Sequence, residues 1–138
     1  MLQRVQSIWL LLAGVLAFLT TQFSIYSGNK VVDAVNQYDT LSAGSNLFLL
    51  ITTVALGIIA IITIFLYKNR SLQLKLSFAA LGVYVIICLL YFLEIKKYVQ
   101  GAFSLLSILF FLIPIFLLLA IRGIYKDMKL VKSIDRLR

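Results

Sequence analysis

With 138 residues, 62% of them hydrophobic and only 13% charged, the chain is long enough for one domain but too apolar for a soluble one. A formal charge of +8 would ordinarily raise nucleic acid as a partner, but the cations sit in short segments between long apolar blocks, the pattern of membrane topology signals, so nucleic acid is disfavoured. The chain has no histidine, no CxxC or HExxH spacing, and one cysteine, Cys88, inside an apolar run; no metal, cofactor or intramolecular disulfide is expected.

Residues 1–6 hold one cation, Arg4, ahead of the first block, SIWLLLAGVLAFLTTQFSIY at 7–26. This block resembles a signal peptide only in its basic start. No A-x-A-like site follows it and it is long enough to span, so it reads as an uncleaved first span. Segment 27–44, SGNKVVDAVNQYDTLSAG, reads as a connecting loop; Val31, Val35 and Tyr38 at i, i+4, i+7 also permit a short interfacial helix.

The second block, 46–67, is followed by the basic turn KNRSLQLK at 68–75, and the third block is 76–93. Glu94, with Lys96 and Lys97 behind it, is expected to be a solvated interfacial acid. The fourth block, 103–121, contains Pro114, which lacks an N–H and leaves the carbonyl of Phe110 without its helical donor. A kink there reads as a static bend or, alternatively, a hinge. Each block runs about 18–22 residues without an ionisable group, enough for a helix to cross the roughly 30 Å of a bilayer core. The fold class expected is therefore an all-α integral membrane protein with four transmembrane helices over 1–121.

Four spans put both termini on one side. That side holds Arg4, then Lys68, Arg70 and Lys75, then Arg122, Lys126, Lys129, Lys132, Arg136 and Arg138; the other holds Lys30, Lys96 and Lys97. Ten cations against three place both ends in the cytoplasm. Trp9, Tyr26, Tyr67, Tyr91 and Tyr125 fall near block ends, where such rings sit at headgroup depth, and only Tyr84 is clearly mid-span. Ala13, Gly14 and Ala17 on the first span, and Thr53, Gly57 and Ala60 on the second, give small faces suited to close helix approach.

Chemistry is hard to assemble from these residues. No span carries an ionisable group of the kind that proton relays and pumps need, and small multidrug exporters depend on a first-helix glutamate that is missing here. Ser, Thr and Tyr occur without a base, so no activated nucleophile follows and no enzyme is expected.

The tail, 122–138, is the informative part. On a helical wheel Ile121, Ile124, Tyr125, Met128 and Val131 extend the apolar face of the fourth span, while Arg122, Lys126, Lys129 and Arg136 gather beside it. Leu130, Ile134 and Leu137 form a second apolar set. Three readings follow: a cationic stop touching anionic lipid headgroups, at about 1 kcal/mol per cation; docking to a partner protein or a second copy; and binding of RNA, weakened because Tyr125 is the patch's only aromatic. The candidate contact face comprises Lys68, Asn69, Arg70, Lys75, Arg122, Lys126, Asp127, Lys129, Leu130, Ile134, Asp135, Arg136 and Leu137.

Three stretches carry a resemblance: MLQRVQSIWLLLA at the start, YKNRSLQLKL between spans two and three, and PIFLLLAIRGIYKDMKLVKSIDRLR from Pro114 onward. Together they resemble a family of small four-span membrane proteins of Bacteroidota, the domain of unknown function 4293. The Lys126–Asp127 pair and SIDRLR, Ser133 to Arg138, are the most specific parts. The chain departs from the family pattern at Ile121, where the pattern has Asn, and at Met128, where it has an acid. The resemblance implies four helices, an inner-membrane address and cytoplasmic termini, and assigns no activity. The expectation is a non-catalytic accessory or assembly subunit, with a channel or carrier for a neutral or lipid-like solute as the alternative. A polar-lined cavity around Thr52, Thr63, Tyr84, Ser104 and Ser107 would favour the carrier.

Overall fold

The computed structural model describes residues 2–32 and 35–135, and side chains for 5–31 and 35–131. Four helices dominate: α1 (Leu2–Gln22), α2 (Leu47–Phe65), α3 (Arg70–Ile95) and α4 (Ser107–Asp135). All four are long and apolar enough to cross a membrane. Each packs on its neighbours in sequence, and α4 closes the ring against α1.

The buried positions explain why the ring closes. On α1 they include Gln6, Leu10, Ala13, Ala17 and Thr20; on α2, Leu49, Thr53, Leu56, Ala60 and Thr63. On α3 they are Gln73, Ser77, Ala80, Tyr84, Ile87 and Tyr91, and on α4 they include Phe110, Ile113, Leu117, Ala120 and Ile124, with Ile121 buried beside this series. Every series alternates steps of three and four, the 3.5-residue repeat that keeps one seam of a helix facing its partners. The opposite faces expose large apolar side chains such as Ile8, Ile58, Leu89 and Ile115, as expected where lipid rather than water surrounds the bundle. The small faces of α1 and α2 do meet: a Cβ built on Gly14 would lie 3.5 Å from the Cβ of Ala60 and from the carbonyl oxygen of Gly57.

Helix starts are set by side chains. Asn46 accepts from the N–H of Phe48 at 3.0 Å to begin α2, and Asn69 accepts from the N–H of Leu72 at 3.3 Å to begin α3. Inside α4, Pro114 removes a donor, and the Tyr84 hydroxyl donates to the Phe110 carbonyl at 3.3 Å. The one clearly mid-span tyrosine thus satisfies the group that the one proline leaves bare.

The all-α expectation needs correction. Segment 27–44 is not a plain loop or an interfacial helix: β1 (Tyr26–Val32) and β2 (Val35–Leu41) pair antiparallel, and β3 (Tyr98–Phe103) joins the other side of β1, giving the order β2-β1-β3. The physical reason is a partner from far along the chain. Gly28 lies opposite Gly101, where a Cβ would meet the Ser27 carbonyl oxygen at 2.7 Å, so only glycine fits this closely packed pair. The Tyr26 ring packs edge-on against Tyr98 and Phe103, each with centroids 5.4 Å away. The Tyr98 hydroxyl reaches across β1 to the Asp39 carboxylate on β2 at 3.3 Å. Tyr26, expected at a span border, is therefore the first residue of a strand.

Both inter-helix connections at this end of the bundle enter the sheet, so one end is capped and the other holds the start of α1 and the end of α4. We call these the sheet end and the open end.

Candidate functional site

At the open end, the basic turn and the helical tail meet. α4 crosses residue 121 without a break; its 29 residues reach about 43 Å, well beyond a bilayer core. Arg70, the first residue of α3, donates from Nη1 to the Asp127 carbonyl at 3.2 Å, with Asp127 Oδ2 3.6 Å away. Asp127 is 13% exposed and Arg70 29%, so this pair sits in the groove between α3 and α4 rather than in bulk water. It ties the second basic segment to the third.

The remaining predicted residues distribute around this tie. Lys68 is exposed in the turn after α2, Asn69 caps α3, and Lys75 is exposed on α3. Arg122, Lys126 and Lys129 are exposed along α4, and Leu130 is 46% exposed. Ile134 and Asp135 fall in the last turn of α4, but their side chains lie outside the described residues, as do Arg136 and Leu137 altogether. The described part of the face is thus two elements joined by one ion pair, carrying exposed cations and one exposed apolar residue.

Beside it lies a feature the sequence reading missed. Gln6 is 3% exposed, packs on Gly123, and its Nε2 has no hydrogen-bond partner among the described residues. A Cβ on Gly123 would lie 2.7 Å from Cγ of Gln6, so the glycine makes the space that the amide occupies. A glutamine ahead of the first apolar run was the visible signal; the glycine that seats it is 117 residues later.

The residues of the candidate carrier lining are engaged in main-chain hydrogen bonds. The hydroxyls of Thr52, Thr63 and Tyr84 donate to backbone carbonyls, those of Leu49 and Phe48, Ile59, and Phe110 respectively. Ser104 and Ser107 form the turn into α4.

At the sheet end, Glu94 differs from expectation. It is 15% exposed, and its Oε1 accepts from Asn46 Nδ2 and from Lys97 Nζ, both at 2.7 Å. The acid is a clasp between the ends of α2 and α3, because the N-cap residue of α2 supplies a spare amide donor there. Lys96 instead lies over the Phe92 ring, 4.6 Å from its centroid.

No curated protein and no solved structure matches the chain. The family described as "Domain of unknown function (DUF4293)" matches residues 2–137, and on that nearly full-length match the chain belongs to this family.

Proposed function

We infer that this protein is a non-catalytic accessory or assembly subunit of a bacterial inner membrane, with four spans, cytoplasmic termini, and a partner docked on its open-end face. The positive charge bias of that end supports the orientation. One observation carries the docking reading: α4 continues past the bundle as an unbroken helix, braced to α3 by Arg70, and presents Leu130 among exposed cations. A cationic stop needs neither a brace nor a second apolar stripe.

The test is site-specific photo-crosslinking in native membranes, with the probe at Leu130 and a control probe at the outward-facing Ile58 of α2. A single larger protein captured at 130, and lost when Ile134 and Leu137 become Ser, is the expected result. Capture of lipid alone at 130 would defeat the reading.

The carrier alternative rests on two buried hydroxyls without hydrogen-bond partners among the described residues, Thr53 on α2 and Tyr91 on α3. Uptake of a neutral solute into vesicles that fell on substitution of both would favour it over the subunit reading.

A further inference from the structure

The Gln6 amide invites a ligand. A buried donor without an acceptor is costly, and native proteins rarely leave one so unless something outside the chain supplies the missing oxygen. The seam between α1 and α4 says what kind of oxygen. At about 100° per residue, Arg122, Lys126 and Lys129 all lie on one flank of Gly123, within about 60–120° of it, while Ala120, Ile124 and Asp127 lie on the other. The three cations are exposed, and the second flank faces the core. A cationic stripe therefore borders the seam on its outer side, beside the seat of Gln6.

The two kinds of donor also sit at different depths. Gln6 is level with Gly123, and the backbone of Lys126 is about 4.5 Å nearer the open end; Arg122 starts about 1.5 Å deeper than Gly123 and reaches the same surface by its long stem. A diacyl phospholipid has a matching division: a phosphate at the surface, and ester carbonyls deeper along the same molecule. Tyr125, exposed beside the stripe, is suited to the same headgroup region.

We propose that the α1–α4 seam at the open end is a binding site for an anionic diacyl phospholipid, with Arg122 and Lys126 on the phosphate and Gln6 Nε2 on an ester carbonyl. The site borders the Leu130 face and shares Arg122 and Lys126 with it, whereas the Gln6 amide belongs to the lipid site alone. A free phosphate would engage only the cations. A plain electrostatic attraction to the membrane would ignore the amide.

Lipid retention by the full-length protein, read by native mass spectrometry after detergent release, separates these cases. The probes are an ester-linked phosphatidylglycerol, its diether form lacking the carbonyls, phosphatidylcholine, and inorganic phosphate. The wild type should retain the ester phosphatidylglycerol over the diether form by about fivefold, the scale of one neutral hydrogen bond. Gln6→Leu should abolish that difference, and Arg122→Gln with Lys126→Gln should abolish the preference over phosphatidylcholine. Equal retention of ester and diether forms by the wild type overturns the proposal, as does displacement of the lipid by phosphate. The ester–ether comparison needs no substitution, so it stands even if Gln6→Leu folds poorly.

Discussion

The hydroxyl of Tyr84 donates to the carbonyl of Phe110, the group that Pro114 strips of its helical N–H. Pro114→Ala returns that N–H, after which the hydroxyl is no longer needed there. Tyr84→Phe alone should cost about 1 kcal/mol, and much less in the Pro114→Ala background. A double-mutant cycle from unfolding in detergent measures the coupling; additivity within about 0.3 kcal/mol would show that the two groups act separately.

The sheet depends on its paired glycines. A methyl group at Gly101 meets the Ser27 carbonyl and the Tyr26 ring, and the first of these is backbone that cannot step aside. Gly101→Ala should open β3 from β1 while leaving the helices intact. Hydrogen exchange checks this: faster exchange at 98–103 with unchanged protection in α1–α4 is the expected pattern.

Asn46 does two jobs, capping α2 and donating to Glu94, whereas among the described residues the Asn69 side chain caps α3 and does no more. Asn46→Ala should therefore cost more than Asn69→Ala, about 2 against about 1 kcal/mol. Thermal unfolding of the two variants side by side decides it, and equal losses would remove Glu94 from the account.

Tyr98 supplies a pH dependence. Burial first, then the charge of Asp39 and the hydrogen bond to it, hold the phenol protonated, pushing its pKa from 10.0 up to about 12. A raised folded value means that its contribution is complete below pH 10 and fades as pH climbs toward about 12. Sheet stability should steepen its decline across that window in the wild type and not in Tyr98→Phe, followed by hydrogen exchange at β1 and β3.

Arg70 braces the projecting part of α4. Arg70→Gln should change global stability by less than about 1 kcal/mol, because the pair is partly solvated. Its effect should be local: faster hydrogen exchange from Asp127 onward, with the helix before Ala120 unaffected. Uniform exchange along α4 would mean that the tie contributes nothing to the projection.

The spans were legible because lipid leaves a one-dimensional signature: runs of about 20 apolar residues between charged turns, readable without knowing any partner. The packing faces were half legible. Ala13, Gly14 and Ala17 stood out as small, but burial of Gln73 and Ser77 on the same 3–4 repeat did not, since polar residues on a heptad seam look like surface until the seam is known. The sheet was hidden for a different reason. Val31, Val35 and Tyr38 fit a helical spacing as well as a strand, and what decides between them is YVQGAF, some 70 residues away, with Gly101 opposite Gly28. Likewise Pro114 announced a bare carbonyl and Tyr84 an oddly placed hydroxyl, yet only the fold brings the two together. At the open end the basic segments were visible, but nothing local foretold that Arg70 would reach Asp127 or that Gly123 would seat Gln6.

Because β1 follows α1, β2 precedes α2, and β3 joins α3 to α4, the strands lace together the ends of all four helices at one pole of the molecule. The other pole has a single short connection, between α2 and α3, and leaves α1 and α4 to be held by side chains alone. One pole is thus fixed by main-chain hydrogen bonds across the sheet, while at the other the pairing of α1 with α4 rests on side-chain packing that includes the seat of Gln6 on Gly123.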